Sequence, residues 1–97
     1  MKRISTYIPS SPANLAGLKT RLGFTSQQMA DLSGLSQGSH WRRYTGGADP
    51  RSISLQMHFY MAALLTLTES ELARVLTTMG EHGAEIEVGP LPAGPCK

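Results

Sequence analysis

Apolar residues recur at the spacing of one helix face in the first quarter of the chain. A first helix is predicted to begin near Pro12, where a missing backbone N–H costs nothing, and to end at Gly23. Its apolar stripe consists of three leucines, Leu15, Leu18 and Leu22. This three- and four-residue spacing is typical of an amphipathic helix on a core.

Two shorter helices follow at once. The second is predicted over residues 27–33, with Thr25 or Ser26 as its N-cap and Gly34 directly after it. The third is predicted over residues 37–44, with Ser36 as its N-cap. The residues expected to face inward are Met29 and Ala30 on the second helix and Trp41 and Tyr44 on the third.

The remaining helices are predicted in the second half. Residues 55 to about 65 are apolar on nearly every side, which is typical of a central buried helix. Residues 68–71 read Thr-Glu-Ser-Glu, a capping box that opens a fifth helix ending at Gly80 or Gly83. The predicted buried stripe of this fifth helix is Leu72, Val75, Leu76 and Met79.

The chain ends carry different patterns. Residues 1–9 form an arm or weak strand, residues 84–88 alternate as a short strand would, and residues 89–97 form a flexible Pro/Gly tail. The predicted fold is therefore an all-α, compact five-helix bundle over residues 10–83, with short terminal β-strands as an option. Ninety-seven residues suffice for one such domain.

Composition narrows the class of protein. The chain is 40% hydrophobic and 16% charged, as expected of an ordinary globular domain. Its longest apolar stretch, residues 59–67, is far shorter than the roughly 20 residues of a membrane crossing. We expect no membrane association and no secretory signal. The single cysteine, Cys96, cannot form an internal disulfide, so a cytoplasmic location is expected.

Charge is divided between the two halves. Residues 1–51 contain seven Lys or Arg against two Asp, a net charge of +5. Residues 52–97 contain two Lys or Arg against five Glu, a net charge of −3. A polyanion would be attracted to the first half and repelled by the second.

Residues 25–46 carry the pattern on which the functional hypothesis depends. Ala30 is small where two crossing helices touch, Gly34 permits a sharp turn, and Leu35 pins the helices together. This stretch resembles the phage-repressor-like (XRE-type) helix-turn-helix family, and the five-helix pattern extends the resemblance over residues 15–66. The family expects an apolar residue near Ser33, and others five and eight positions after Leu35.

The apolar residues of the third helix come one position later than the family pattern. They are Trp41 and Tyr44, which keep the required separation of three, so we predict a turn one residue longer around Gln37 and Gly38. With these aromatic residues turned inward, four residues face outward or sideways: Gln37, Ser39, Arg42 and Arg43. Trp41 could instead stack on nucleic-acid bases, although its spacing from Tyr44 favours the core.

The resemblance implies that the third helix reads double-stranded DNA in the major groove. Gln37 would then pair with adenine, and Arg42 or Arg43 with guanine. Thr25, Ser26 and Gln27, at the start of the second helix, are candidates for holding a phosphate. Further phosphate contacts are expected from rim residues Lys19, Arg21, Thr45 and Arg51.

The function implied is a transcriptional regulator of the phage or mobile-element type, a repressor by default, that binds as a homodimer. The helix that follows residue 68, and the alternating Ile86 and Val88, are candidate dimer surfaces, and residues 1–9 could exchange between subunits. The competing hypothesis is a protein-binding module on the same scaffold, antitoxin-like or a phage anti-host factor. Its working surface would be the Glu-rich second half and the fourth helix.

Enzymatic roles have no support in the residue pattern. Glu69 and Glu71 are explained by helix capping, and Gly46-Gly47 lacks the lysine of a phosphate-binding loop. The three histidines are widely separated and have no metal-ligand spacing. We therefore expect no catalysis and no metal or other cofactor, and no small-molecule effector is indicated.

Overall fold

The computed structural model describes residues 1–92 and confirms the predicted all-α class. The helices are α1 (Pro12–Leu22), α2 (Ser26–Ser33), α3 (Gly38–Arg42), α4 (Leu55–Thr66) and α5 (Glu69–Glu81). No strand occurs in the described part of the chain. None of these helices has the length and apolar character that a bilayer crossing requires.

Hydroxyl side chains begin four of the five helices. The Oγ of Ser11 accepts a hydrogen bond from the backbone N–H of Asn14 at 3.1 Å, and Ser54 caps α4 in the same way. Thr25 and Thr68 form full capping boxes at α2 and α5. Because each cap satisfies a free N–H group of the first turn, these helix starts are fixed locally by sequence.

The core lies where α2 packs against α3 and α4. Its buried apolar residues are Leu15, Met29, Ala30, Leu32, Trp41, Ile53 and Met61. The predicted inward positions of Met29, Ala30 and Trp41 are confirmed, and Tyr44 is half-buried at the edge of this cluster. The core therefore packs against the inner face of the short α3, where Trp41 is buried.

The prediction that α4 is a central buried helix is wrong. Only Met61 of α4 is fully buried, while Phe59 is 61% exposed and Tyr60 47% exposed. The buried stripe predicted for α5 is wrong as well, since Leu72 and Leu76 are no more than half-buried and the rest of α5 is exposed. The physical reason is that α5 does not cover α4, and an open apolar groove separates them.

The predicted strand at residues 84–88 is also wrong, as this segment has no regular structure. A strand needs a paired neighbour, and residues 1–11, the only other candidate segment, run as an irregular arm beside α4 instead. Residues 86–92 lie against α4 and α5, close to Tyr60 and Leu76. Of the predicted tail, residues 93–97 lie outside the described residues.

One hydrogen bond fixes the arm to the core. The hydroxyl of Tyr7 donates to the backbone carbonyl of Ile53 at 2.8 Å, and its ring meets the ring of His58 edge-on at 6.2 Å. Partial desolvation raises the pKa of the Tyr7 phenol, so the hydroxyl stays a donor. Because Ile53 belongs to the core, Tyr7 holds in place the segment that leads into α4.

Replacing Tyr7 with Phe should destabilise the fold by about 1 kcal/mol, because the Ile53 carbonyl loses its partner in a partly buried position. Urea unfolding followed by circular dichroism measures this change. Tyr60→Phe is the matched control, since Tyr60 is exposed and should unfold like the wild type. Equal midpoints for the two variants would show that the Tyr7 contact contributes nothing.

Candidate nucleic-acid interface

The connection between α2 and α3 is four residues long, from Gly34 to Gln37. This agrees with the longer turn predicted around Gln37 and Gly38. Gly34 reverses the chain with a φ of +80°, and the backbone N–H of Leu35 donates to the carbonyl of Ala30 at 2.8 Å. Left-handed backbone of this kind favours glycine. The turn thus directs α3 back across α2.

A polar residue occupies the end of α2, where the family pattern expects an apolar one. Ser33 is 5% exposed, and its hydroxyl donates to the backbone carbonyl of Met29 at 2.7 Å. A serine that bonds back to its own helix satisfies its polar group without a partner elsewhere. Ser33 is therefore compatible with the packed turn.

Gly38 is the point at which the backbones of α2 and α3 come closest. A Cβ atom at this position would lie 2.9 Å from the backbone N of Gln27 and 3.1 Å from the carbonyl carbon of Ser26. Real Cβ atoms essentially never approach backbone so closely, so a side chain here would push the helices apart. The residue pattern predicts Ala30 as the small residue where the helices touch and does not indicate Gly38.

The prediction that Ser36 caps α3 is wrong. The helix begins one residue later than predicted, with Gln37 at the N-cap position and no side-chain cap of its own. Instead, the Oε1 of Gln27 accepts a hydrogen bond from the backbone N–H of Gly38 at 3.1 Å, and its Nε2 donates to Asp31 at 3.0 Å. Gln27 thus acts as a cap supplied by α2, because the two helix starts are in contact.

Trp41 anchors the inner face of α3. It is fully buried, with its indole tilted 41° against the ring of Tyr44 at a centroid distance of 6.5 Å. Its Nε1 has no hydrogen-bond partner within residues 1–92, so its contribution is apolar packing alone. With no exposed surface, Trp41 is not placed to stack on a base, and the core interpretation is the correct one.

The exposed residues of α3 and of its two ends are polar. Gln37, Ser39, Arg42 and Arg43 are all exposed, whereas Trp41 is buried. Neither guanidinium has a hydrogen bond or ion pair within the described residues. Ser39 is held by its neighbour, with 3.3 Å between its Oγ and the Oε1 of Gln37. All four predicted readout residues are therefore accessible from solvent.

The loop after α3 returns to that helix and brings another arginine with it. The backbone N–H of Arg51 donates to the carbonyl of Arg43 at 2.7 Å, a short contact that closes the loop of residues 44–50. The backbone of Arg51 therefore lies beside Arg43, at the C-terminal end of α3. Thr45 follows the end of α3 and turns back towards that helix, with its Oγ1 3.5 Å from the carbonyl oxygen of Arg42.

The residues predicted to bind phosphates differ in their burial and in how many of their polar atoms are already hydrogen-bonded. Thr25 Oγ1 accepts from the N–H of Gln28 but keeps its own proton to donate, whereas both ends of the Gln27 amide are used inside the protein. Ser26, between them, is half-buried. Lys19 is half-buried on α1, and Arg21 lies beside α4 in a groove with His58 rather than among the residues of α3.

Residues 1–92 contain no cluster of three His, Cys, Asp or Glu side chains that could bind a metal ion. Comparison with protein-family models, with curated proteins and with solved structures finds no match to this chain. The function of this interface is therefore proposed from its geometry and its charge.

Gly38→Ala should destabilise the protein by roughly 1–3 kcal/mol, because the added Cβ meets the backbone of α2. The fluorescence of Trp41, the single tryptophan, reports the transition during urea unfolding. Gly46→Ala provides the control, since a Cβ there has open space and the backbone is not left-handed. A Gly38→Ala protein as stable as the control would show that α3 does not need this close approach.

Proposed function

We propose that this protein is a sequence-specific regulator that binds double-stranded DNA and inserts α3 into the major groove. The observation that carries the proposal is the division of α3 into two faces. Trp41 fixes the inner face in the core, while the guanidiniums of Arg42 and Arg43 stand exposed without partners in residues 1–92. The exposed amide of Gln37 contacts only the hydroxyl of Ser39. A helix held rigidly from behind presents its side chains to base edges in one register.

The side chains match the chemistry of the groove. A guanidinium can donate two parallel hydrogen bonds to O6 and N7 of guanine, which Arg42 or Arg43 would supply. The Gln37 amide pairs with N6 and N7 of adenine. Arg51 and the Thr25 hydroxyl would then contact phosphates on either side, which positions the protein without reading sequence.

Five residues of helix read few base pairs, so we propose that two copies bind two symmetric half-sites. The basic first half of the chain would face the duplex, and the acidic second half would be kept away from it. Occupying a promoter in this way excludes polymerase, so repression is the proposed outcome. The single reading helix suits a regulator of a phage or mobile element.

Replacing Arg42 and Arg43 with Ala together should abolish specific binding, since each lost guanine contact costs about 1–3 kcal/mol. The affinity for a duplex selected by the wild-type protein measures the effect, at several salt concentrations. Arg74→Ala is the matched control, because Arg74 is an exposed arginine on α5 that takes no part in the interface. Wild type and control should both lose affinity steeply as salt rises.

The competing function, a protein-binding module on the same scaffold, has one structural observation in its favour, the exposed apolar groove beside α5. It makes the opposite prediction for the same variants. The DNA-binding proposal would be contradicted if the Arg42 and Arg43 substitutions left the affinity for the selected duplex unchanged. It would also be contradicted if that affinity did not fall as the salt concentration rises.

A further inference from the structure

Besides Arg42, the helix α3 contains one other ionisable side chain, His40. His40 lies between Ser39 and Trp41 in sequence and is half-buried, so it stands at the edge of the exposed surface of this helix. Histidine is the side chain whose charge changes roughly between pH 5 and 8. Its charge therefore matters to any polyanion that binds at α3.

The Nδ1 atom of His40 has a polar neighbour in the connection that precedes α3. It lies 3.4 Å from the hydroxyl oxygen of Ser36, four residues earlier. A hydroxyl group both donates and accepts, so Ser36 can donate to the neutral ring and accept from the charged one. The ring therefore keeps this contact and its orientation when it gains a proton.

The other ring nitrogen of His40, Nε2, is accessible from solvent. It has no hydrogen-bond partner within residues 1–92. In that part of the chain, the Nε1 of Trp41 is the only buried side-chain nitrogen or oxygen that lacks a partner, so the Nε2 of His40 is not buried. This atom is therefore placed to donate a hydrogen bond to a bound molecule.

No carboxylate of residues 1–92 pairs with His40. The titratable or charged side chains on α3 and on the segments around it are Asp31 on α2, Arg42 and Arg43 at the end of α3, Tyr44, Asp49 and Arg51 in the loop that follows, and His58 and Tyr60 on α4. The carboxylate of Asp31 accepts from the Nε2 of Gln27 instead. Neither Asp31 nor Asp49 forms an ion pair with His40. An anion that pairs with a charged His40 must therefore come from a bound molecule.

We infer that His40 is a phosphate ligand in the complex with DNA, and that its protonation strengthens the binding of DNA. The inference deepens the proposed function and rests on it. The Nε2–H of the imidazolium donates a charge-assisted hydrogen bond to a phosphate oxygen, which is stronger than the bond from the neutral ring. Binding therefore takes up a proton. The affinity for DNA rises as the pH falls and levels off once His40 is charged in the free protein as well.

Fluorescence anisotropy of a labelled duplex, selected by the wild-type protein, tests this inference at constant ionic strength over the pH range in which histidine titrates. The wild type should bind at least about ten-fold more tightly at the acidic end, because a nearby opposite charge favours the charged ring by about that factor or more. His40→Gln should bind with an affinity nearly independent of pH. The matched control is His82→Gln, since His82 is an exposed histidine at the end of α5, and this variant should keep the wild-type profile.

Circular dichroism at both ends of the pH range verifies that each protein is folded, and His40→Asn replaces His40→Gln if that variant does not fold. Calorimetry of wild-type binding in two buffers of different ionisation enthalpy counts the protons taken up, and it depends on no variant. Binding without proton uptake would overturn the inference, as would a His40→Gln profile that follows the wild type. A wild type that binds the duplex equally well at every pH contradicts this inference alone. A wild type that binds no duplex at any pH contradicts the proposed function and the inference with it.

Discussion

The missing side chain of Gly38 allows α3 to begin in contact with the first turn of α2. At this point the N–H of Gly38 reaches the side chain of Gln27, and the carboxylate of Asp31 holds the other end of that amide. One turn further along, Trp41 enters the core completely. These two attachments, one at each end of a five-residue helix, replace the stability that so short a helix lacks by itself.

The exposure of the arginines follows from this attachment. Once Gly38 and Trp41 face inward, helix geometry places Ser39, Arg42 and Arg43 on the outside. The backbone contact between Arg51 and Arg43 brings a third basic residue back to the same end of α3. Residues distant in sequence thus come together there, in a chain whose net charge is only +2.

The sequence predicted best what local chemistry determines. The helix starts at Thr25 and Thr68 depend on hydroxyl groups three residues before the backbone N–H from which they accept a hydrogen bond. The apolar spacing around Trp41 identifies the inner face of α3. The role of Gly38 was missed, because a close approach of two backbones leaves no periodic signal. A glycine at a predicted helix start was the one available indication.

Burial of α4 and α5 could not be predicted from their patterns. Phe59 and Val75 have the spacing of core residues, yet what buries such residues can be another part of the same chain or a second molecule, and the sequence of one chain does not distinguish the two. The same reasoning applies to residues 84–88, whose alternating pattern indicates a strand only if a neighbour is present to pair with it.

Selection of bound sequences from a pool of random duplex DNA, with the full chain as bait, tests most directly whether the free face of α3 reads DNA. The expected result is a strongly enriched, two-fold symmetric sequence whose half-sites are centred about 34 Å apart, one turn of the double helix. A pool that stays random after repeated rounds, with Trp41 still buried in the protein used, would contradict it.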